Sequence, residues 1–127
     1  MHRVAIYARE DPITDARGRL DAQVAEIAAF VRRQRGWHVA TYADVGSGTT
    51  LERPGLAQLV AHARAGWFDV LVVERRECVA TDLTARRQIR DQLAMVGVSA
   101  VVMHPPLRAR LGRVVATLAL VDLVETL

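Results

Sequence analysis

The chain has 127 residues, 51% of them hydrophobic and only 5% aromatic, which suits one compact domain with a core of small aliphatic side chains. Its 17 basic residues, all arginine, exceed the 14 acidic ones by three. A pI near 10.0 therefore reflects the guanidinium pKa more than excess charge, so nucleic acid is permitted rather than demanded. The lone Cys78 excludes an intrachain disulfide and a cysteine zinc set, and no apolar run reaches the roughly 18 residues of a membrane span, so a cytoplasmic location without a membrane partner is expected.

Arg3 to Ala8 (RVAIYA) is a short apolar run of β-formers, closed by Arg9, Glu10, Asp11 and Pro12, and reads as a first strand. From Leu20 to Arg35, the positions Leu20, Val24, Ile27, Ala28 and Val31 recur at helical spacing, and Gly36 is the expected stop. His38 to Ala43 reads as a second strand. Asp44 to Gly55 is glycine-rich and reads as a loop, with Pro54 suited to the first turn of a helix over roughly Gly55 to Ala65. A strand over Val70 to Val73, a helix over Leu83 to Met95, a stop at Gly97 and a strand over Ser99 to Val102 follow.

Strands alternating with helices of ten or more residues predict an α/β fold: a three-layer α/β/α domain with a mainly parallel sheet of four to five strands. The expected division is a domain over 1–110 and a C-terminal helix over 111–127. Leu111 to Leu127 carries Leu111, Val114, Val115, Leu118, Val121 and Val124 with few charges. That exceeds the single stripe a helix needs against its own sheet, which favours a homodimer or heteromer interface, a terminal core helix being the plainer reading. In such sheets the site lies beyond the carboxyl ends of the strands, where Arg9, Asp44 and Arg75 are expected to meet.

Five blocks in order carry a resemblance: RVAIYAR at Arg3 to Arg9, LDAQ at Leu20 to Gln23, GWHVATYAD at Gly36 to Asp44, GSGTTLERPGL at Gly46 to Leu56 and FDVLVVE at Phe68 to Glu74. Together they resemble the N-terminal catalytic domain of resolvase/invertase serine recombinases, with its flavodoxin-like winding. The resemblance implies DNA strand exchange, in which a serine hydroxyl attacks a phosphodiester while guanidinium groups stabilise the charge gathering on its oxygens. It assigns Tyr7, Arg9, Gln23, Asp44, Ser47, Arg53 and Arg75 to the active site or its rim, with Tyr7, Arg9, Ser47, Arg53 and Arg75 as the groups nearest phosphate, joined by Arg76 if the loop after the third strand is displaced by one residue.

Two departures stand out. The serine's place, two residues after the arginine ending the first strand, is taken by Asp11, and where the family has Asp-Arg-x-x-Arg the chain has Glu74, Arg75, Arg76, Glu77 and Cys78. An ionised Asp11 lacks the hydroxyl and meets phosphate with like charge, costing on the order of a few kcal/mol when partly desolvated. The expected state is cleavage-incompetent, with Asp11 paired to Arg9 or Arg75 as an internal phosphate mimic; at a strand end before proline it could instead simply form a turn.

The leading reading is a noncatalytic recombinase relative serving as a dimerisation or regulatory module. The alternatives are an active recombinase with a displaced nucleophile such as Thr14 or Ser47, and an anion- or nucleotide-binding module on the same scaffold. No cofactor is expected, because His2, His38, His62 and His104 are scattered without ligand spacing and Cys78 has nothing to pair with. Arg86, Arg87 and Arg90 on one predicted helix read as a solvated face, contact with a DNA backbone being the alternative. The sequence stops at Leu127 with no counterpart of a separate DNA-binding domain, so DNA contact is expected to be weak.

Overall fold

The computed structural model describes residues 1–104 and Leu127. Positions 105–126 hold nearly all of the expected C-terminal helix, so that expectation lies outside the described residues. The elements are β1 (Arg3–Glu10), α1 (Ala16–Arg33), β2 (Trp37–Val45), α2 (Pro54–Arg64), β3 (Val70–Val73), α3 (Leu83–Ala94) and β4 (Ser99–Val102), with a single 3-10 turn at Arg76–Cys78 between β3 and α3. No helix among the described residues is long and apolar enough to cross a membrane.

The strands form one parallel sheet in the order β2-β1-β3-β4. Strand order therefore reverses between β1 and β3, the point at whose carboxyl tips such sheets commonly place their functional groups. β1 and β3 are the inner strands, and Val4 to Ala8 and Val70 to Val73 are buried throughout, as a parallel sheet covered on both faces requires. One face packs Ala5, Tyr7, Leu71 and Val73 against Leu56 and Leu59 of α2 and Ile89 and Leu93 of α3. The opposite face packs Val4, Ile6, Val70 and Val72 against Ile27 and Val31 of α1.

α1 buries Ala16, Leu20, Gln23, Ile27 and Val31, spaced four, three, four and four apart. Each large aliphatic in that stripe contributes about 1.5–3 kcal/mol by leaving water. Gln23 is the one polar member, and its partners lie in the site described below. α1 begins one turn earlier than the Leu20 start expected from sequence, because the apolar stripe begins with Ala16, a small residue that carries little periodic signal.

The stop after α1 also differs from expectation. Arg35, not Gly36, takes the left-handed conformation, at φ 60°. Gly36 serves packing instead: a Cβ there would lie 2.9 Å from methyl groups of both Val31 and Val4. β1 and β2 run past their expected ends because they pair with each other as far as Arg9 with Asp44 and Glu10 with Val45. Asp44 thus belongs to a strand rather than to the glycine loop. This pairing holds Arg9 and Asp44 side by side at the carboxyl ends of β1 and β2.

Candidate functional site: a buried arginine pair at the carboxyl ends of the strands

Tyr7 and Arg9 alternate along β1 with their side chains on one face of the sheet, and the matching positions of β2 are Tyr42 and Asp44. The Tyr7 hydroxyl donates to Asp44 Oδ2 at 2.7 Å and accepts from Arg53 Nη1 at 2.7 Å. Burial pushes the Tyr7 phenol well above its usual range, and the bond to the Asp44 carboxylate adds to the shift. Tyr7 is therefore a neutral relay between a carboxylate and a guanidinium.

Asp44 also accepts the backbone N–H groups of Gly55 at 2.7 Å and Leu56 at 2.9 Å, so its charge sits on the amino end of α2. Arg53, the residue preceding that helix, makes no side-chain cap of its own. Asp44 supplies the cap from a neighbouring strand. The approach depends on Gly55, where a Cβ would stand 2.6 Å from the Ala43 carbonyl oxygen and 2.8 Å from Asp44 Oδ2.

Arg9 and Arg53 are only 8% and 3% exposed. Buried guanidiniums need both charge and hydrogen-bond partners. Arg9 donates from Nε to the Cys78 carbonyl at 3.1 Å, from Nη1 to Asp11 Oδ1 at 2.7 Å and the Gly46 carbonyl at 2.9 Å, and from Nη2 to the Glu77 carbonyl at 2.8 Å. Arg53 donates to the Thr50 carbonyl at 2.9 Å, the Tyr7 hydroxyl, the Cys78 carbonyl at 3.0 Å and the Val79 carbonyl. The Cys78 carbonyl thus accepts from both side chains.

Each guanidinium carries five N–H groups, and four hydrogen bonds to the protein itself occupy most of that capacity. The carbonyls of 77–79 accept from the two arginines and so tie the backbone after β3 to both side chains. Gln23 completes the frame: Oε1 accepts from the Arg9 backbone N–H at 3.1 Å and Nε2 donates to the Arg9 carbonyl at 3.2 Å, tying α1 to the tip of β1. The Cys78 thiol lies 3.6 Å from the same Oε1, and burial pushes its pKa up, so it stays protonated.

Among the residues singled out from sequence, Tyr7, Arg9, Asp11, Gln23, Asp44 and Arg53 therefore form one connected network. Arg75 does not join it: its side chain is 62% exposed and bonds the adjacent Glu74 at 3.3 Å. The expected meeting of Arg9, Asp44 and Arg75 is thus realised only for the first two, because the backbone after β3 turns into the 3-10 turn and presents carbonyls inward instead of the arginine. Arg76 begins that turn. Ser47 is exposed, with its hydroxyl bonded to the Thr49 hydroxyl at 2.8 Å and the Thr49 N–H at 3.1 Å.

The alternatives for Asp11 are also resolved geometrically. Its carboxylate pairs with Arg9 and not with Arg75, while its carbonyl accepts the Ile13 N–H at 2.8 Å in a tight turn. Both expectations, the ion pair and the turn, hold together. The carboxylate remains 64% exposed, so this is a rim contact on a buried cation.

Sequence reasoning missed the backbone acceptors of Gly46, Glu77, Cys78 and Val79. No side-chain pattern advertises a carbonyl. The helix with Arg86, Arg87 and Arg90 is only partly a solvated face, since Arg86 reaches back to the carbonyls of Ala80 at 3.1 Å and Thr81 at 3.2 Å.

The model of the family described as resolvase, N-terminal domain, matches residues 4–121, so the chain belongs to that family. Solved structures agree in fold. The C-terminal catalytic domain of ISC1926 TnpA, an IS607-like serine recombinase, is 21% identical over 83% of this chain and 69% of its own, with a TM-score of 0.76. The catalytic domain of IS1535 TnpA, also IS607-like, is 29% identical over 80% of this chain and 71% of its own at a TM-score of 0.65. A resolvase-family site-specific recombinase from Streptococcus pneumoniae is 17% identical over 81% and 72%, at 0.69. No curated protein matches the sequence. The fold is that of serine recombinase catalytic domains.

Proposed function

We propose that this chain is a serine recombinase catalytic-type domain that does not cleave DNA and that acts by assembling with a copy of itself or with an active recombinase. The observation that carries the first half is the pairing of Arg9 with Asp11, at the position where the family places its nucleophile. A carboxylate there supplies negative charge to the guanidinium from within, and it brings no hydroxyl to attack phosphorus.

The saturation of Arg9 and Arg53 supports the same reading. In-line attack on a phosphodiester needs guanidinium donors aimed at the oxygens that gather charge. Here most of those donors are committed to the chain's own carbonyls. A displaced nucleophile is disfavoured, because Ser47 is turned to Thr49 and a hydroxyl several ångströms out of place forfeits the orientation that makes attack fast. Assembly rests on the apolar excess of Leu111 to Leu127 and on the family's architecture.

Two measurements test this reading. On nicked DNA carrying candidate sites, the protein forms no covalent protein–DNA complex; a phosphoserine- or phosphothreonine-linked species identified by mass spectrometry overturns the proposal. Titration with inorganic phosphate separates the internal-mimic role of Asp11. Asp11→Ser binds phosphate several-fold more tightly than the parent, and equal affinity of the two proteins removes that role.

A further inference from the structure

A second cluster of chemistry-bearing side chains lies beyond the strand tips, apart from the arginine network. Glu26 on α1, Glu74 after β3 and His104 after β4 bring one ligand atom each to within 4.8 Å of one another. His104 Nε2 lies 3.2 Å from Glu26 Oε1, and the His104 backbone N–H bonds the Glu74 carbonyl at 2.8 Å, continuing the β3–β4 ladder past its ends. Residues 26, 74 and 104 are far apart in sequence. Only the fold gathers them.

We infer that Glu26, Glu74 and His104 form a binding site for a divalent cation of the zinc class. Two carboxylates this close repel unless a cation or a proton lies between them. One imidazole nitrogen with two carboxylate oxygens is the donor set for zinc and its first-row neighbours, whereas magnesium and calcium favour oxygen donors alone. Ligand atoms around tetrahedral zinc stand about 3.4 Å apart, so closing the trio from its present spacing takes side-chain rotation of roughly an ångström. Glu26 is exposed and supplies that freedom, while Glu74, only 17% exposed, and the strand-tied His104 supply a firm base.

Among the described residues, Glu74 is paired with Arg75 through one bond at 3.3 Å, and the Arg75 side chain is exposed. A bonded metal displaces such a contact at small cost, since an exposed ion pair is worth roughly 0–1 kcal/mol. Three ligands from the protein leave at least one coordination position open, as in zinc sites that hold water or an exchangeable ligand. The site lies at the same end of the sheet as Arg9 and Arg53 but shares no residue with them, and it does not depend on whether the domain cleaves DNA.

The test uses the full chain without an affinity tag, stripped with a chelator and titrated with zinc by calorimetry, with circular dichroism confirming that each variant is folded. The expected result is one zinc per chain, weakened at least about tenfold by each of Glu74→Gln, His104→Gln and Glu26→Gln and unchanged by His38→Gln. Because Glu26 is a surface residue in mid-helix, its variant folds even if His104→Gln does not. Absence of zinc uptake, uptake by Glu26→Gln or Glu74→Gln as tight as the parent's, or a loss with His38→Gln as large as with His104→Gln overturns the inference.

Discussion

Arg53 and Arg75 are both arginines that the sequence singles out for the site, yet the fold treats them in opposite ways. Arg53 is buried to 3% exposure and donates to Thr50, Tyr7, Cys78 and Val79, so it ties β1 to the segment before α2 and the segment after β3. Arg75 stands in solvent with one weak contact to its neighbour. The same side chain is therefore a structural keystone in one place and a surface charge in the other. What separates them is the run of carbonyls at 77–79, which the buried pair claims and Arg75 does not reach.

This contrast can be broken by substitution. Arg53→Ala removes four donors and leaves the Tyr7–Asp44 pair and several carbonyls uncompensated, so a loss of about 3–5 kcal/mol is expected, measured by urea unfolding. Arg53→Lys restores charge without the planar fork and recovers little of it. A loss below 1 kcal/mol in Arg53→Ala would mean that the arginine network does not support the fold.

Tyr7→Phe is expected to cost about 1–2 kcal/mol, since it leaves Asp44 and Arg53 each one partner short without opening a large cavity. It also tests the direction of the pH dependence. Folding raises the phenol pKa, so the unfolded chain ionises first. The stabilisation is fully present below the ordinary tyrosine pKa of about 10 and falls as pH rises above it. Burial of Cys78 and Tyr42 acts in the same direction. Denaturant midpoints measured between pH 8 and pH 11 should fall more steeply in the parent than in Tyr7→Phe; parallel curves would remove Tyr7 as a source of the slope.

At the small end, Arg75→Ala should change stability by no more than about 0.5 kcal/mol, as expected for an exposed pair. A larger loss would place Arg75 in the network after all.

Much of the fold was legible because its signals are local. The apolar runs at Val70 to Val73 and Ser99 to Val102 coincide with strands, and the stripe of Leu20, Ile27 and Val31 faces the sheet as its spacing predicts. Helix and strand ends were less legible. Asp44 and Val45 read as loop because a strand's length is decided by what it pairs with, and here β1 extends to meet it. The residues Tyr7, Arg9, Gln23, Asp44 and Arg53 were legible in the sequence as a group, but not the carbonyls of 77–79 that the Arg9 and Arg53 side chains bond.

By itself, the sequence determined the alternation of strands and helices and the core-facing stripes. These follow from side-chain identity and periodicity, which act over a few residues. The tertiary structure alone decided which arginines are enclosed, that carbonyls of 77–79 consume their donors, and that Glu26, Glu74 and His104 come together. Those outcomes depend on where separate strands end in space and on backbone groups that every residue type carries alike.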